Sequence, residues 1–328
     1  MSELHKFLFE GLPVRGMIVR LDDAWTEILR RRAQSSTGAY AQPVQQLLGE
    51  MAAASALMQS NIKFNGALVL QVFGDGPVKL AVAEVQSDLS LRATATVIGE
   101  VADDAGLGDM LNLHGKGRCA VTLDPKDRLP GQQPYQGVVP LAGADDRPLQ
   151  SLSEALQLYM RQSEQLDTTL VLAADDKLAA GLLIQRLPIE GMGNLAGQQP
   201  AEAELYEAEQ YEHYNRIALL ASSLKREELL TLDVDTILRR LFWEETLQRF
   251  EPLAGVNGPR FACTCSRERV GGMIRGLGED EAREILAERG VIQVGCEFCG
   301  ADYRFDAVDT TQLFTTVQDQ PPSSDSVQ

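Results

Sequence analysis

The chain holds 328 residues, 44% of them apolar, with a formal net charge of −17. That is enough apolar material for two or three packed domains. The acidic surplus argues against nucleic-acid partners and anionic membranes, whose affinity comes from clustered Lys and Arg.

No window reaches the roughly 18 apolar residues of a spanning helix. Glu3, Lys6 and Glu10 interrupt the N-terminus, where a signal peptide needs a basic flank and an unbroken apolar run. A cytoplasmic protein is expected, in which a cysteine cluster means metal or redox chemistry more often than a structural disulfide.

Asp22 can cap a helix with the stripe Trp25, Ile28, Leu29, and Arg30 to Gln42, with its arginines, serines and glycine, reads as a loop. Pro43 suits a helix first turn. From there Val44, Leu47, Leu48, Met51, Ala54, Ser55 and Met58 recur at helical spacing, and the helix ends near Asn61.

The period then changes to two. Ala67 to Phe73, a Gly74-Asp75-Gly76-Pro77 turn and Val78 to Val85 make a hairpin. Further strands are expected at Leu91 to Ile98, Arg118 to Leu123, Gly137 to Leu141, Leu170 to Ala174 and Ala180 to Leu187, with Pro140 pushing its segment to a sheet edge. Ser151-Leu-Ser-Glu154 fits a capping box opening a helix through Leu156, Tyr159 and Met160. The pattern is α+β rather than doubly wound.

Composition shifts to Gly, Gln and Asn over Pro188 to Pro200, which marks a domain boundary. Beyond it Glu202, Glu204, Glu207 and Glu209 lead into a helical stripe of Tyr211, Tyr214, Ile217, Ala218, Leu220 and Ala221, and a second runs through Ile237, Leu238, Leu241 and Phe242. Such stripes need a partner, and helices held mainly by docking are easily released. The expected organisation is a mixed α/β core over 1–192, a metastable helical linker over 193–257, a small module over 258–312 and a disordered tail over 313–328. A module of that size commonly needs a metal or disulfides to stay folded.

Four of the five cysteines lie in that module, as Cys263-Thr-Cys265 and Cys296-Glu-Phe-Cys299. Four soft thiolates suit one tetrahedral zinc ion. Between the pairs a helix from about Glu279 to Arg289, stopped by Gly290, spans a thirty-residue loop, and strands are expected at Val291 to Val294 and Ala301 to Phe305. A purely structural zinc site is the ordinary reading. The sharper one is chemical: zinc keeps the thiols deprotonated, oxidants consume thiolates, and the metal must then leave. Four cysteines allow three pairings, and the nearest-neighbour one would close only tiny loops where the metal had spanned thirty residues. A thioredoxin-like use of Cys-x-x-Cys is disfavoured, because that motif opens a helix and this one leads into a strand.

These residues resemble the thirty-three-kilodalton chaperonin family of redox-regulated heat-shock holdases. The likeness rests on Cys263-Thr-Cys265-Ser-Arg-Glu-Arg269 followed by Cys296-Glu-Phe-Cys299-Gly300, and on LFEGLPVRGMIV, FGDGPVKLAV, YMRQSEQLDTTLVLA and REELLTLDVDTILRRLFWEE, in that family's order over most of the chain. The resemblance implies zinc on Cys263, Cys265, Cys296 and Cys299 in a reduced, inactive form. It implies an oxidised, active form with disulfides Cys263–Cys265 and Cys296–Cys299, an unfolded linker, a homodimer, and binding of unfolding client proteins without ATP, by a protein that is not an enzyme.

The remaining residues read blandly. Cys119 alternates into a strand as a small hydrophobe, and His5, His114 and His213 share no ligand spacing and read as solvated or locally satisfied. Gly115-Lys116-Gly117 lacks the rest of a phosphate-loop pattern, and Lys225 to Glu228 reads as a solvated helix face. No nucleophile and base stand at a readable spacing. The other readings are a constitutive zinc-ribbon adaptor and a thiol oxidoreductase.

Overall fold

Two N-terminal runs without clean alternation are strands, β1 (Glu3–Phe9) and β2 (Val14–Leu21). Both faces of β2 are buried: Met17, Val19 and Leu21 point into one core, Val14 and Ile18 into another. A strand covered on both sides is apolar throughout, which hides its period of two.

The computed structural model of the chain describes residues 1–35, 37–127, 131, 133–143, 147–188 and 200–315. After β2 come α1 (Asp23–Gln34), α2 (Gln42–Gln59), the hairpin β3 (Gly66–Phe73) and β4 (Val78–Gln86), β5 (Ser90–Val97), α3 (Leu107–Leu111), β6 (Arg118–Pro125), β7 (Tyr135–Pro140), α4 (Leu152–Ser163), β8 (Thr168–Ala174) and β9 (Ala179–Arg186). Then follow α5 (Pro200–Ser222), α6 (Arg226–Thr231), α7 (Val234–Phe242), and the short strands β10 (Leu247–Arg249), β11 (Leu253–Ala254) and β12 (Arg260–Phe261). The last elements are α8 (Arg267–Leu277), α9 (Glu279–Arg289), β13 (Ile292–Gly295), β14 (Asp302–Phe305) and α10 (Ala307–Phe314). The chain divides into two units, Met1–Ala262 and Cys263–Gln328.

The first unit is built on two sheets, β10-β1-β2-β9-β8 with β11 also on β1, and β12-β5-β4-β3-β6-β7. All pairs are antiparallel except β12 with β5. The edge position of β7 is where Pro140 can sit without breaking a ladder.

Helix α2 packs on strands of both sheets. It is therefore buried nearly all round rather than along one stripe, and small residues make this possible. A Cβ on Gly49 would stand 2.4 Å from the Ala174 methyl. The Ser151 hydroxyl caps α4 by accepting from the Glu154 amide at 3.2 Å, while the Glu154 carboxylate reaches back to the Gln150 amide at 2.8 Å.

The loop expected from Arg30 to Gln42 is shorter: Arg30 to Gln34 are helical and Gln42 opens α2. Glu27 takes Arg30 at 2.7 Å and Arg31 at 2.6 Å, and Arg31 and Arg32 fall in the last turn, where cations offset the negative end of the helix dipole.

The charged helical stretch beyond residue 200 finds its partner within the same unit. Tyr214, Ile217, Ala221, Leu224, Leu229, Val234, Ile237, Leu238, Leu241 and Phe242 pack with Phe7, Phe9, Val14, Ile18, Leu182 and Ile184, the face of the first sheet opposite α2. Tyr211 lies off this stripe and is 44% exposed. Arg20 of β2 donates from Nη1 to the Leu229 and Leu232 carbonyls, both at 2.9 Å, satisfying acceptors at the end of α6. Nor is Lys225 to Glu228 a solvated face: Arg226 pairs with Glu50 of α2 and Glu228 with Arg240 of α7. The Gly-rich boundary over 189–199 and residues 316–328 of the expected tail lie outside the described residues, while Leu313 and Phe314, placed in that tail, end α10 and pack on the core of the second unit.

Candidate metal centre

In the second unit, antiparallel β13 and β14 pair Val294 with Tyr303 and Gly295 with Asp302. Cys296 and Cys299 stand on the turn between these strands. Its shape is held by Cys296 N–H to Ala301 O at 2.9 Å and Gly300 N–H to Cys296 O at 2.8 Å. Gly300 adopts φ +71°, a left-handed conformation that a side chain resists. Cys263 and Cys265 lie just before α8, whose first turn is capped by the Ser266 hydroxyl.

Two connections bring these distant segments together. The Arg267 guanidinium donates to the Arg304 carbonyl at 2.7 Å, pairs with Asp309 at 2.7 Å and covers the Phe305 ring at 4.3 Å. The second is a core whose fully buried members are few, Ile274, Ala282, Ile292 and Phe305. Gly290, at φ +74°, ends α9 and turns the chain into β13.

The result is one sulfur cluster. Cys263 Sγ lies 3.7 Å from Cys296 Sγ, Cys265 Sγ lies 3.3 Å from Cys299 Sγ, and all four fall within 4.8 Å of one another. A tetrahedral ion with metal–sulfur bonds of about 2.3 Å needs sulfurs roughly 3.8 Å apart, so the four side chains fit one metal ion. The short contacts run between the pairs, so bound metal would tie the start of α8 to the β13–β14 turn.

Burial pushes the Cys296 and Cys299 thiols up from their ordinary range. A metal ion that binds the sulfurs supplies the drive to deprotonate them. Tyr303, which no sequence motif singled out, donates its hydroxyl to Cys265 Sγ at 3.1 Å. Its only sequence signal is a polar-tipped aromatic in the strand that follows the second pair.

The cysteine pairs predicted from sequence thus converge, and the other candidates do not join them. Cys119 is buried on β6 in the first unit. His5 is buried rather than solvated and approaches Glu3 at 3.1 Å. The amides of His114 and Lys116, which a phosphate loop would turn on its ligand, donate to the Asp75 carboxylate. Among the described residues no helix is long and apolar enough to cross a membrane.

The profile of the Hsp33 protein family matches residues 2–306. The chain belongs to that family. Among its relatives are the 33 kDa chaperonins of Methylobacillus flagellatus, 45% identical over 96% of this chain and 95% of the relative, and of Chromobacterium violaceum, 43% identical over 95% and 94%. The fold is similar to the crystal structure of the 33 kDa chaperonin (heat shock protein 33 homolog) of Thermotoga maritima, with a TM-score of 0.69 over 95% of this chain and 97% of that one, at 20% identity. Membership in the Hsp33 family supports a chaperone role, and the cysteine cluster supplies thiols able to hold a metal.

Proposed function

We propose that this chain is a redox-regulated holdase of the cytoplasm. Zinc on Cys263, Cys265, Cys296 and Cys299 keeps it inactive, and oxidation to Cys263–Cys265 and Cys296–Cys299 switches it on. The observation that carries the reading is the convergence of two thiol pairs, thirty residues apart, in a unit with almost no core of its own. When bound, zinc supplies the cross-link that such a core cannot, and structural zinc is worth about 10–16 kcal/mol in isolated finger peptides.

The redox step balances without a further reactant. Two thiolates and one peroxide give one disulfide and two hydroxides: a sulfur lone pair attacks a peroxide oxygen, the O–O bond breaks, and the second thiolate displaces hydroxide from the oxidised sulfur. The disulfides close only the short Cys-x-Cys and Cys-x-x-Cys loops, so the long-range tie is lost.

The chain runs from β12 at Phe261 almost directly into Cys263. In this reading, loss of order at the cysteines propagates to β12 and then to α5–α7. Their release would expose both the helix stripes and the sheet face of Phe7, Phe9, Val14 and Ile18. Contiguous apolar surface of that kind binds unfolding chains without a reaction centre or ATP, and the same surface would support a homodimer of the oxidised form.

The test treats zinc-loaded protein with peroxide at mild heat. Zinc is followed with a chromophoric chelator, and suppression of client aggregation is assayed before and after. The expected result is zinc release together with a gain in suppression. Release with no gain would leave a constitutive adaptor, and turnover of disulfide substrates would make it an oxidoreductase.

A further inference from the structure

Resting on the redox reading above, we propose that Tyr303 is a brake on oxidation of Cys265. Its hydroxyl hydrogen-bonds the Cys265 sulfur at 3.1 Å, and the strand pairing of Tyr303 with Val294 holds it there. The ring packs on the small core of the second unit, so the oxygen is not free to swing away.

A thiolate reacts with peroxide through a sulfur lone pair. An O–H donor aimed at that sulfur stabilises the charge before the attack, and the bond weakens as electron density moves onto the peroxide oxygen. Hydrogen bonds to an ionised partner are roughly twice as strong as neutral ones. An interaction stronger in the ground state than in the transition state slows the step. Tyr303 therefore lowers the rate at which Cys265 forms its sulfenic acid, with hydroxide as the leaving group. The hydroxyl also steadies the sulfur as a ligand, as outer partners of metal ligands do. The same hydrogen bond raises the oxidant threshold and tightens metal retention.

The experiment uses full-length, reduced, zinc-loaded protein and its Tyr303→Phe variant, which keeps the ring and loses only the hydroxyl. Each is exposed to a limiting pulse of hydrogen peroxide in the presence of a 1,3-dione that traps sulfenic acids, and the modified cysteines are mapped by mass spectrometry. Zinc loss to a chelator without peroxide is recorded in parallel. The expected result is a rise of about three- to tenfold in trapped Cys265 relative to the other three cysteines of the same sample. Zinc loss without peroxide should quicken modestly, since the hydroxyl also steadies the ligand. A merely structural role would raise all four cysteines together and leave the Cys265 ratio where it was, which overturns the inference. As a second variant, a ring-fluorinated tyrosine at position 303, a stronger donor, should move the Cys265 ratio the opposite way. An unchanged Cys265 ratio in both variants, with normal peroxide-driven zinc release, sinks the brake and leaves the switch standing. No peroxide-driven release from the unaltered protein sinks the switch itself.

Discussion

Arg226, the first residue of α6, reaches Glu50 on α2 with its Nη1 3.5 Å from the carboxylate, while Nη2 donates to the Ala174 carbonyl. An arginine–carboxyl pair thus joins a helix docked on the first sheet to the helix at the centre of the core. Burial pushes the Glu50 carboxyl up to about 7 from its ordinary 4.5, and the Arg226 charge opposes that shift.

The sign of the pH dependence follows. If α6 lifts off, Glu50 is hydrated and returns toward 4.5, so the docked state holds the proton more tightly. Docking is then strongest below pH 4.5, weakens as pH rises to about 7, and is level above it. Hydrogen exchange of the α6 amides, corrected for intrinsic rates, should show easier opening at pH 8 than at pH 5. Glu50→Gln should flatten that difference. Equal pH dependence in both proteins removes Glu50 as its source.

Arg20 makes a different kind of attachment. Its two 2.9 Å hydrogen bonds end on carbonyls at the close of α6, which no residue of that helix can satisfy. Arg20→Met should weaken docking by about 1–3 kcal/mol, the usual cost of unmaking hydrogen bonds from a charged donor. Arg20→Lys should not restore it fully, because a lysine loses the second nitrogen, Nη2, which stands 3.5 Å from the Leu230 carbonyl, and the planar geometry that aims the first. Proteolysis between α6 and α7 in the reduced protein should be faster in both variants, and an Arg20→Lys variant as resistant as the parent would refute the geometry.

The ring of Phe242 anchors α7 against two strand residues, with centroids 5.0 Å from Phe9 and 6.2 Å from Phe7. Gly16 lets Phe7 lie there: a Cβ at Gly16 would meet the Phe7 ring at 2.1 Å. Phe242→Ala should cost about 3–5 kcal/mol of local stability. It is expected to suppress client aggregation while still reduced and zinc-loaded. Thermal unfolding followed by near-ultraviolet dichroism, alongside the aggregation assay, checks both. A variant with a lowered first transition but no gain in suppression would separate helix release from client binding.

The sequence carried some of this more clearly than the rest, for physical reasons. The hairpin of Ala67 to Val85 and the capped helix after Ser151 are local, since turn chemistry and spacing specify them within a dozen residues. The cysteine pairs are legible because thiolates at short spacing have few other uses. Strands β1 and β2 were not, because burial on both faces erases alternation. The seam at Arg20, Glu50 and Arg226 joins positions up to about two hundred residues apart that carry ordinary surface residue types. Tyr303 has the same difficulty: only the β13–β14 register reveals that its hydroxyl meets Cys265. Helix α8 is hidden in the sequence because Gly271, Gly272 and Gly276 mask its pattern, yet at Gly271 a Cβ would come within 2.8 Å of Leu313.

The five cysteines should separate cleanly by reactivity. Cys119 has 0% exposure, and burial pushes its thiol up to about 12. Only the thiolate reacts with alkylating agents, so Cys119 should stay unlabelled by iodoacetamide at pH 8 in any form that keeps the first unit folded. The four clustered thiols should resist labelling while the ion is bound and label readily once a chelator removes it. Because the burial-raised thiols of Cys296 and Cys299 must lose protons to bind metal, retention should weaken as pH falls, and zinc should be lost on mild acidification before the first unit unfolds. Mass spectrometry under native conditions gives metal stoichiometry, and peptide mapping gives the labelled sites. Labelling of Cys119 alongside the other four after chelation would mean that the first unit does not hold its fold when the metal leaves, and that the switch is not confined to the second unit and the helices docked on the first sheet.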